Sequence, residues 1–266
     1  MVNIIVAGAA GRMGARIINV ISQTGGVKLA GAFEHSENPS VGLDAGIAAG
    51  LGSIGVKISS SLKDVIDNGD VVIDFTSPKA TLENIKAVSA RGLSMVIGTT
   101  GMAGHLLEEV EGIARGMRCV ISPNMSVGVN VMLRVAAMMA KILGDDYDME
   151  IVEAHHRLKK DAPSGTAMAI ARTLADASGR DLDEVAVYER KGITGERTKE
   201  EIGIQTLRAG DITGDHMVMF GGIGERLELI HRAHNRDNFA RGAVRAAKWI
   251  VEQPVGLYNM QDVLGI

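Results

Sequence analysis

The chain has 266 residues, 46% of them hydrophobic and 23% charged, with a formal net charge of −4. That balance is ordinary for a soluble globular protein of one large or two modest domains. With no basic block or stripe, it excludes an electrostatic footprint for nucleic acid.

From the N-terminus, strand-like and helix-like stretches alternate. Asn3 to Ala7 is a short apolar run ending in glycine, as a buried parallel strand should be. No basic segment precedes it, so it does not read as a leader peptide. Met13, Ile17, Val20 and Ile21 then recur at helical spacing and predict a helix packed on a sheet, stopped by Gly25-Gly26. Val27 to Phe33 reads as the second strand. Glycines at 42, 46, 50, 52 and 55 predict an irregular loop that is a candidate for mobility. Ser61 to Asp67 reads as a short helix, with Ser61 and Asp64 at capping-box spacing. Val71 to Phe75 is a strand, Pro78 opens a helix to Arg91, and Met95 to Gly98 is the next strand. A helix from about Gly104 to Arg115 leads into the strand Cys119 to Ser122. Cys119 is the only cysteine, so no intramolecular disulfide forms, and in its apolar run it reads as a strand residue. The alternation implies right-handed crossovers and a doubly wound parallel sheet.

The pattern changes after about residue 126. Val131 to Leu143 reads as a helix rich in Met and Ala. The uncharged run Cys119 to Leu133 contains Pro123, Asn124, Gly128 and Asn130, which argues against a membrane span. The acidic run Asp145-Asp146-Tyr147-Asp148 reads as a solvated turn. Glu150 to His155 is a strand, and Ser164 to Ala177 a helix closed by Gly179. Strands follow at Ile202 to Ala209, His216 to Phe220 and Arg226 to His231, the last with Leu227 and Leu229 on one face and Glu228 on the other. Clustered strands after a helix predict an α+β domain with a mixed or antiparallel sheet. A final helix, about Asp237 to Glu252, carries an apolar stripe whose partner the sequence leaves open.

Gly8-Ala9-Ala10-Gly11-Arg12-Met13-Gly14 joins the first strand to the first helix. A dinucleotide pyrophosphate needs a tight turn, a backbone it can approach and unpaired N–H groups at a helix start. The spacing is G-x-x-G-x-x-G rather than the commoner G-x-G-x-x-G, and alone it also fits an ordinary strand-to-helix turn. Glu34, at the end of the second strand, stands where an acid binds a ribose 2′-hydroxyl. Gly98-Thr99-Thr100-Gly101 follows another strand end, where ligands gather in open α/β sheets.

The run from Glu153 to Ala167 carries the most chemistry. His155 and His156 point to opposite sides at a strand end, so one can face a substrate while the other supports it. An imidazole gives or takes a proton near neutral pH. Lys159 adds a cation, and Ser164-Gly165-Thr166 at a helix start offers amides and a hydroxyl for an anion. Together they describe a pocket for an acidic substrate that needs protonation. No metal is implied, because adjacent histidines do not form a ligand array and no further ligand cluster is apparent. The remaining histidines, His35, His105, His216, His231 and His234, read as structural or surface residues.

Along essentially its whole length the sequence resembles the dihydrodipicolinate reductase family. The matches are Gly8 through Gly14, Glu34, Gly98 to Gly101, Ser122 to Asn130, and above all Glu153 to Ala167. The resemblance implies a Rossmann domain from residues 1–126 and 236–266, and a substrate-binding and tetramerisation domain from 127–235. It implies NADH- or NADPH-dependent reduction of 4-hydroxy-tetrahydrodipicolinate to tetrahydrodipicolinate with loss of water, in the lysine and diaminopimelate pathway, by a cytoplasmic homotetramer. His155 matches the family's acid/base position and Lys159 its proton donor. His156, Gly165 and Thr166 match substrate contacts. Gly8, Ala9, Ala10, Gly11, Arg12, Met13, Glu34, Gly98, Thr99, Thr100, Ser122, Pro123, Asn124 and Met125 match cofactor contacts.

One departure bears on the cofactor. Many members place a basic residue just after the acid, and here that residue is His35; Ser77 stands where some carry Arg, leaving Arg12 or Lys79 to compensate. NADH is therefore expected to serve at least as well as NADPH. The alternatives are another Rossmann amino-acid dehydrogenase, or a nucleotide-sensing protein without catalysis. Neither accounts for His-His-x-x-Lys followed by Ser-Gly-Thr.

Overall fold

A computed structural model describes residues 1–266. The chain forms two compact units, Met1–Val127 with Arg236–Ile266, and Gly128–Asn235.

In the first unit seven parallel strands form one sheet. They are β1 (Val2–Ala7), β2 (Val27–Phe33), β3 (Ile58–Ser59), β4 (Val71–Asp74), β5 (Ser94–Ile97), β6 (Arg118–Ile121) and β12 (Gly256–Tyr258), in the order β12-β6-β5-β4-β1-β2-β3. Helices α1 (Arg12–Gln23), α3 (Pro78–Ala90), α4 (His105–Ala114) and α8 (Asp237–Ile250) cover its two faces. The strand period of two sorts the apolar residues. Ile4, Val6, Val71, Ile73, Val96 and Val120 pack with Ile17, Ile18 and Ile21 of α1 and Ala243, Val244, Ala247 and Ile250 of α8. Ile5, Val72, Met95, Ile97 and Cys119 pack on the other side with Ile85 and Val88 of α3 and Val110 and Ala114 of α4. Full burial of each Ile or Val contributes about 1.5–3 kcal/mol. The final helix thus finds its partners on the parallel sheet and α1.

Two expectations change in this unit. The glycine-rich loop is organised: Asp44 caps the short helix α2 (Ala45–Ala48) and accepts hydrogen bonds from the amides of Gly46, Ile47, Ile54 and Gly55 and from the Ser53 hydroxyl. Those bonds, led by the Ile54 amide, hold the Asp44 carboxyl at about 2. Residues 61–68 form two 3₁₀ turns, Leu62–Asp64 and Ile66–Asn68, rather than an α-helix. The Ser61 hydroxyl accepts from the Lys63 amide, one residue short of the capping-box position, which suits the tighter winding. The β12 strand and the C-terminal helix α9 (Met260–Leu264), started by an Asn259–Asp262 capping box, escaped the sequence reading.

In the second unit five strands form a mixed sheet: β7 (Asp148–His155), β8 (Ala186–Val187), β9 (Ile202–Arg208), β10 (Gly214–Gly222) and β11 (Glu225–Ala233), in the order β11-β10-β7-β9-β8. The β10 strand runs antiparallel to β7 and β11, whereas β7, β8 and β9 are parallel. Helices α5 (Val127–Leu143) and α6 (Gly165–Ser178) cover one face, and the short α7 (Leu182–Val185) precedes β8. Helix α5 begins four residues before the predicted start. The segment Val127–Asp146 is long and apolar enough by composition to cross a membrane. Its Val129, Met132, Ala136 and Ala140 recur at helical spacing and are buried, the three last in the core beneath the sheet.

The acidic run after α5 is more engaged than a solvated turn. Asp145 pairs with Arg180, Asp148 with Arg197, and the Tyr147 hydroxyl donates to Glu225.

Candidate active site

In the first unit the glycine turn between β1 and α1 is shaped for a close approach. Gly8 has φ +64°, a left-handed backbone that favours glycine. A Cβ on Gly14 would lie 2.1 Å from the Gly8 carbonyl oxygen, so only glycine lets α1 start this near the turn. Gly11 caps α1 without a side-chain hydrogen bond, so no side chain competes for the amides at the helix start. Glu34 sits at the end of β2 and accepts from the Ala10 amide at 3.2 Å and the His35 amide at 3.0 Å. The acid and the turn are therefore joined.

The other sequence-identified cofactor residues divide. Gly98 and Thr99 are buried and Thr100 is exposed. The Thr99 hydroxyl accepts from the Thr76 amide and the Thr81 hydroxyl and donates to Asp74. Its side chain is thus committed to the protein, leaving the backbone and Thr100 to face a ligand. Ser122 donates to the Asn124 carbonyl, and Met125 is buried in the core with Gly242 packed against its carbonyl. The exposed Pro123 and half-buried Asn124 complete this loop. Arg12 is exposed and Met13 half-buried at the start of α1.

In the second unit the site grows out of the sheet register. On the helix-covered face, Phe220, Met149 and Ile202 form one row across β10, β7 and β9, and Val218, Ile151 and Ile204 form the next. The following row is polar: His231, His216, Glu153 and Thr206. His155 pairs with Arg208 one row further on. Glu153 is fully buried. Its Oε2 meets His155 Nδ1 at 2.6 Å and Arg208 at 2.9 Å. Its Oε1 accepts from Arg208 at 2.9 Å, the Ser164 amide at 3.0 Å and the Thr206 hydroxyl at 3.3 Å. Burial raises the Glu153 pKa, but Arg208, His155 and the Ser164 amide outweigh it and hold the carboxyl below its ordinary value. Burial lowers the His155 pKa, and Glu153 opposes that without reversing it.

Ser164 is the N-cap of α6 and accepts from the Ala167 amide; its hydroxyl also meets His216 Nε2 at 3.2 Å. Gly165 and Thr166 are the first two residues of that helix, and Gly179 ends it in a left-handed conformation. The His216 ring stands edge-on to His155, with centroids 5.3 Å apart, and burial pushes its pKa down to about 4. Lys159 is largely buried and pairs with Asp161 at 2.8 Å, while Arg208 also donates to the Asp161 carbonyl. His156 is half-buried, and its Nδ1 lies buried without a partner. No cluster of three or more His, Cys, Asp or Glu side chains is arranged for a metal ion.

The sequence reading brought His155, Lys159 and the start of α6 together but missed Glu153 as a hub, Arg208 and His216. His216 reads from the sequence as a structural or surface histidine, whereas the structure sets it beside His155. A usable signal was present. Met149, Ile151, Glu153 and His155 share one strand phase, as do Ile202, Ile204, Thr206 and Arg208. Polar residues that continue an apolar phase at a strand end mark a buried polar row.

Comparison with known proteins agrees over the whole length. Residues 2–125 match the family model described as dihydrodipicolinate reductase, N-terminus, and residues 128–264 that described as dihydrodipicolinate reductase, C-terminus. The 4-hydroxy-tetrahydrodipicolinate reductase of Syntrophobacter fumaroxidans is 56% identical over 266 residues, covering 100% of both chains. That of Syntrophus aciditrophicus is 55% identical over 265 residues, covering 100% of this chain and 99% of the relative. Among solved structures, a dipicolinate-bound dihydrodipicolinate reductase from Paenisporosarcina shares the fold, with a TM-score of 0.77, 23% identity and 98% coverage of each chain. An amine dehydrogenase from Mycobacterium smegmatis shares it more distantly, at a TM-score of 0.61, 14% identity and coverage of 97% and 95%. With both halves matched in order and relatives identical at more than half of all positions, the chain belongs to the dihydrodipicolinate reductase family.

Proposed function

We propose that this chain reduces 4-hydroxy-tetrahydrodipicolinate to tetrahydrodipicolinate with NADH or NADPH, releasing water, as a step of lysine and diaminopimelate biosynthesis. The observation that carries the reading is the gathering, in the second unit, of a carboxylate-held imidazole, an ammonium group and the start of a helix. That is the equipment for holding a small dicarboxylate and giving it a proton.

The dinucleotide supplies the hydride. The Gly8–Met13 turn would hold its pyrophosphate at the start of α1, Glu34 would accept from the ribose hydroxyls, and Gly98 to Thr100 with Ser122 to Met125 would complete the contacts. Hydride delivery to a conjugated imine builds electron density towards the ring carbon and nitrogen, so a proton must follow. Lys159 neutralises a substrate carboxylate and donates that proton, and His155 exchanges protons with solvent. His156, Gly165 and Thr166 hold the dicarboxylate. Because Glu34 repels a 2′-phosphate and His35 attracts it less than arginine would, NADH serves at least as well as NADPH.

The second unit also carries self-association. On the sheet face away from α5 and α6, Leu207 is 54% exposed and Ile230 44% exposed, and a homotetramer would cover such apolar surface. A cytoplasmic location suits an enzyme of this pathway.

The test generates the substrate by condensing pyruvate with aspartate semialdehyde enzymatically and follows nicotinamide absorbance. Cofactor oxidation that depends on both the substrate and this chain is expected. Absence of turnover with either cofactor refutes the activity, and a monomer by light scattering refutes the assembly.

A further inference from the structure

The geometry points to Glu153, clamped by Arg208, as the positioning residue that fixes His155 in a single tautomer, with its proton on Nδ1 and Nε2 presented for proton exchange. This rests on the proposed role of His155 and adds a cause for its orientation.

The argument is a donor count. Glu153 receives two bonds from Arg208, one each from the Ser164 amide and the Thr206 hydroxyl, and the contact from His155 Nδ1. An ionised carboxylate only accepts, so the imidazole must donate from Nδ1. Arginine and the amide have no alternative proton state, so the carboxylate faces fixed donors on both oxygens. The ring has little room to turn. A Cβ on Gly214 would lie 3.1 Å from His155 Nε2, so this glycine leaves space for the imidazole edge and little more. His216 stands edge-on to the same ring.

The same carboxylate reaches a second element. By holding the Ser164 amide it fixes the residue that caps α6, where Gly165 and Thr166 begin the helix. One buried side chain thus ties the orientation of the proton-exchanging ring to the placement of the proposed substrate cradle.

The charged or titratable groups facing His155 are Glu153 on β7, Lys159 in the loop after it, Arg208 on β9 and His216 on β10. Only Glu153 favours the imidazolium. Glutamine at this position would keep the size but set an NH₂ group against Arg208 in either orientation, and would remove the charge.

Nitrogen-15 NMR of histidine-labelled whole protein reads the tautomer directly and needs neither a substrate nor a variant. Above its titration, His155 is expected to be protonated on Nδ1; protonation on Nε2 overturns the proposal. In Glu153→Gln the His155 titration should move to lower pH, and with it the alkaline limb of kcat. Turnover should fall roughly 10- to 10³-fold, between the cost of losing an outer partner and that of losing the correct tautomer. The Kd for NADH should stay within about twofold, and Glu153→Asp should recover part of kcat. Normal kcat with an unmoved pH limb in Glu153→Gln also overturns it. Should Glu153→Gln fail to fold, Thr206→Val, which removes one neutral donor and leaves the charge, should preserve both tautomer and pH limb. A wild-type chain inactive on the proposed substrate refutes the activity while leaving the tautomer measurement to decide this inference alone.

Discussion

The two units build their sites by opposite means. In the first, the proposed cofactor contacts centre on the backbone of one seven-residue turn, joined by a carboxylate from the neighbouring strand end. In the second, the His155 and Arg208 side chains from β7 and β9 and the Ser164 amide at the start of α6 converge on one buried acid, Glu153, and His216 of β10 meets the Ser164 hydroxyl beside it. A site made of backbone is protected by the absence of side chains. A site made of side chains depends on its charged partners being present, because a buried charge left alone costs several kcal/mol. Substitutions should therefore act differently in the two units.

The largest effects belong to the side-chain site. His155→Ala should lower kcat by roughly 10²- to 10⁴-fold, the usual contribution of one acid–base group. Lys159→Ala should remove most of kcat as well. Neither should alter NADH affinity, measured by fluorescence titration, and near-normal kcat in both would move the active site elsewhere.

Next comes a pH effect on stability. His216 has its pKa lowered to about 4, so its contribution is complete above the unfolded value near 6.5 and is lost as pH falls towards 4. A shift of that size corresponds to on the order of 3 kcal/mol. Urea unfolding at pH 7, 5.5 and 4.5 should show the decline, and His216→Asn should flatten it. An unchanged slope in the variant would mean that the lost stability comes from other groups.

The backbone site should respond to added atoms. Gly14→Ala places a methyl 2.1 Å from the Gly8 carbonyl oxygen and forces the turn to shift. Overpacking of this kind typically costs 1–3 kcal/mol, or about 5- to 150-fold in NADH affinity if the strain falls on the bound state. Isothermal titration reads it, and unchanged affinity would show that the turn can relax. Smaller still, Thr166→Ala should mainly raise KM, as removal of a contact present before and during reaction does. Glu34→Ala should narrow the preference for NADH over NADPH; a wild-type chain strongly preferring NADPH would contradict the assigned role of Glu34.

The same contrast explains what could be read in the sequence. The Gly8–Gly14 turn, Glu34 and the alternating elements around them are close along the chain, and glycine spacing and strand period report them directly. His155, Lys159 and Ser164 to Thr166 also lie within one short segment. Arg208, which bonds Glu153, and His216, which lies opposite it, come from 55 and 63 positions away in the sequence, so only strand register joins them. The two-residue β8 and three-residue β12 are too short to show a period. The Asp44 loop has no repeat at all, because a single carboxylate organises it.

Helix α8 and β12 come from the last thirty residues, yet complete a sheet begun by the first seven. During synthesis the β4–β5–β6 face that receives Ala243, Ala247 and Ile250 stays bare until the residues of α8 have left the ribosome. The β6 edge stays unpaired until β12 arrives. A fragment ending near Val127 should thus be soluble only with a chaperone, whereas the independently closed segment 128–235 holds its own core from the start. Tail truncations before residue 250 should consequently fail through aggregation of the N-terminal half, far from the deletion in sequence.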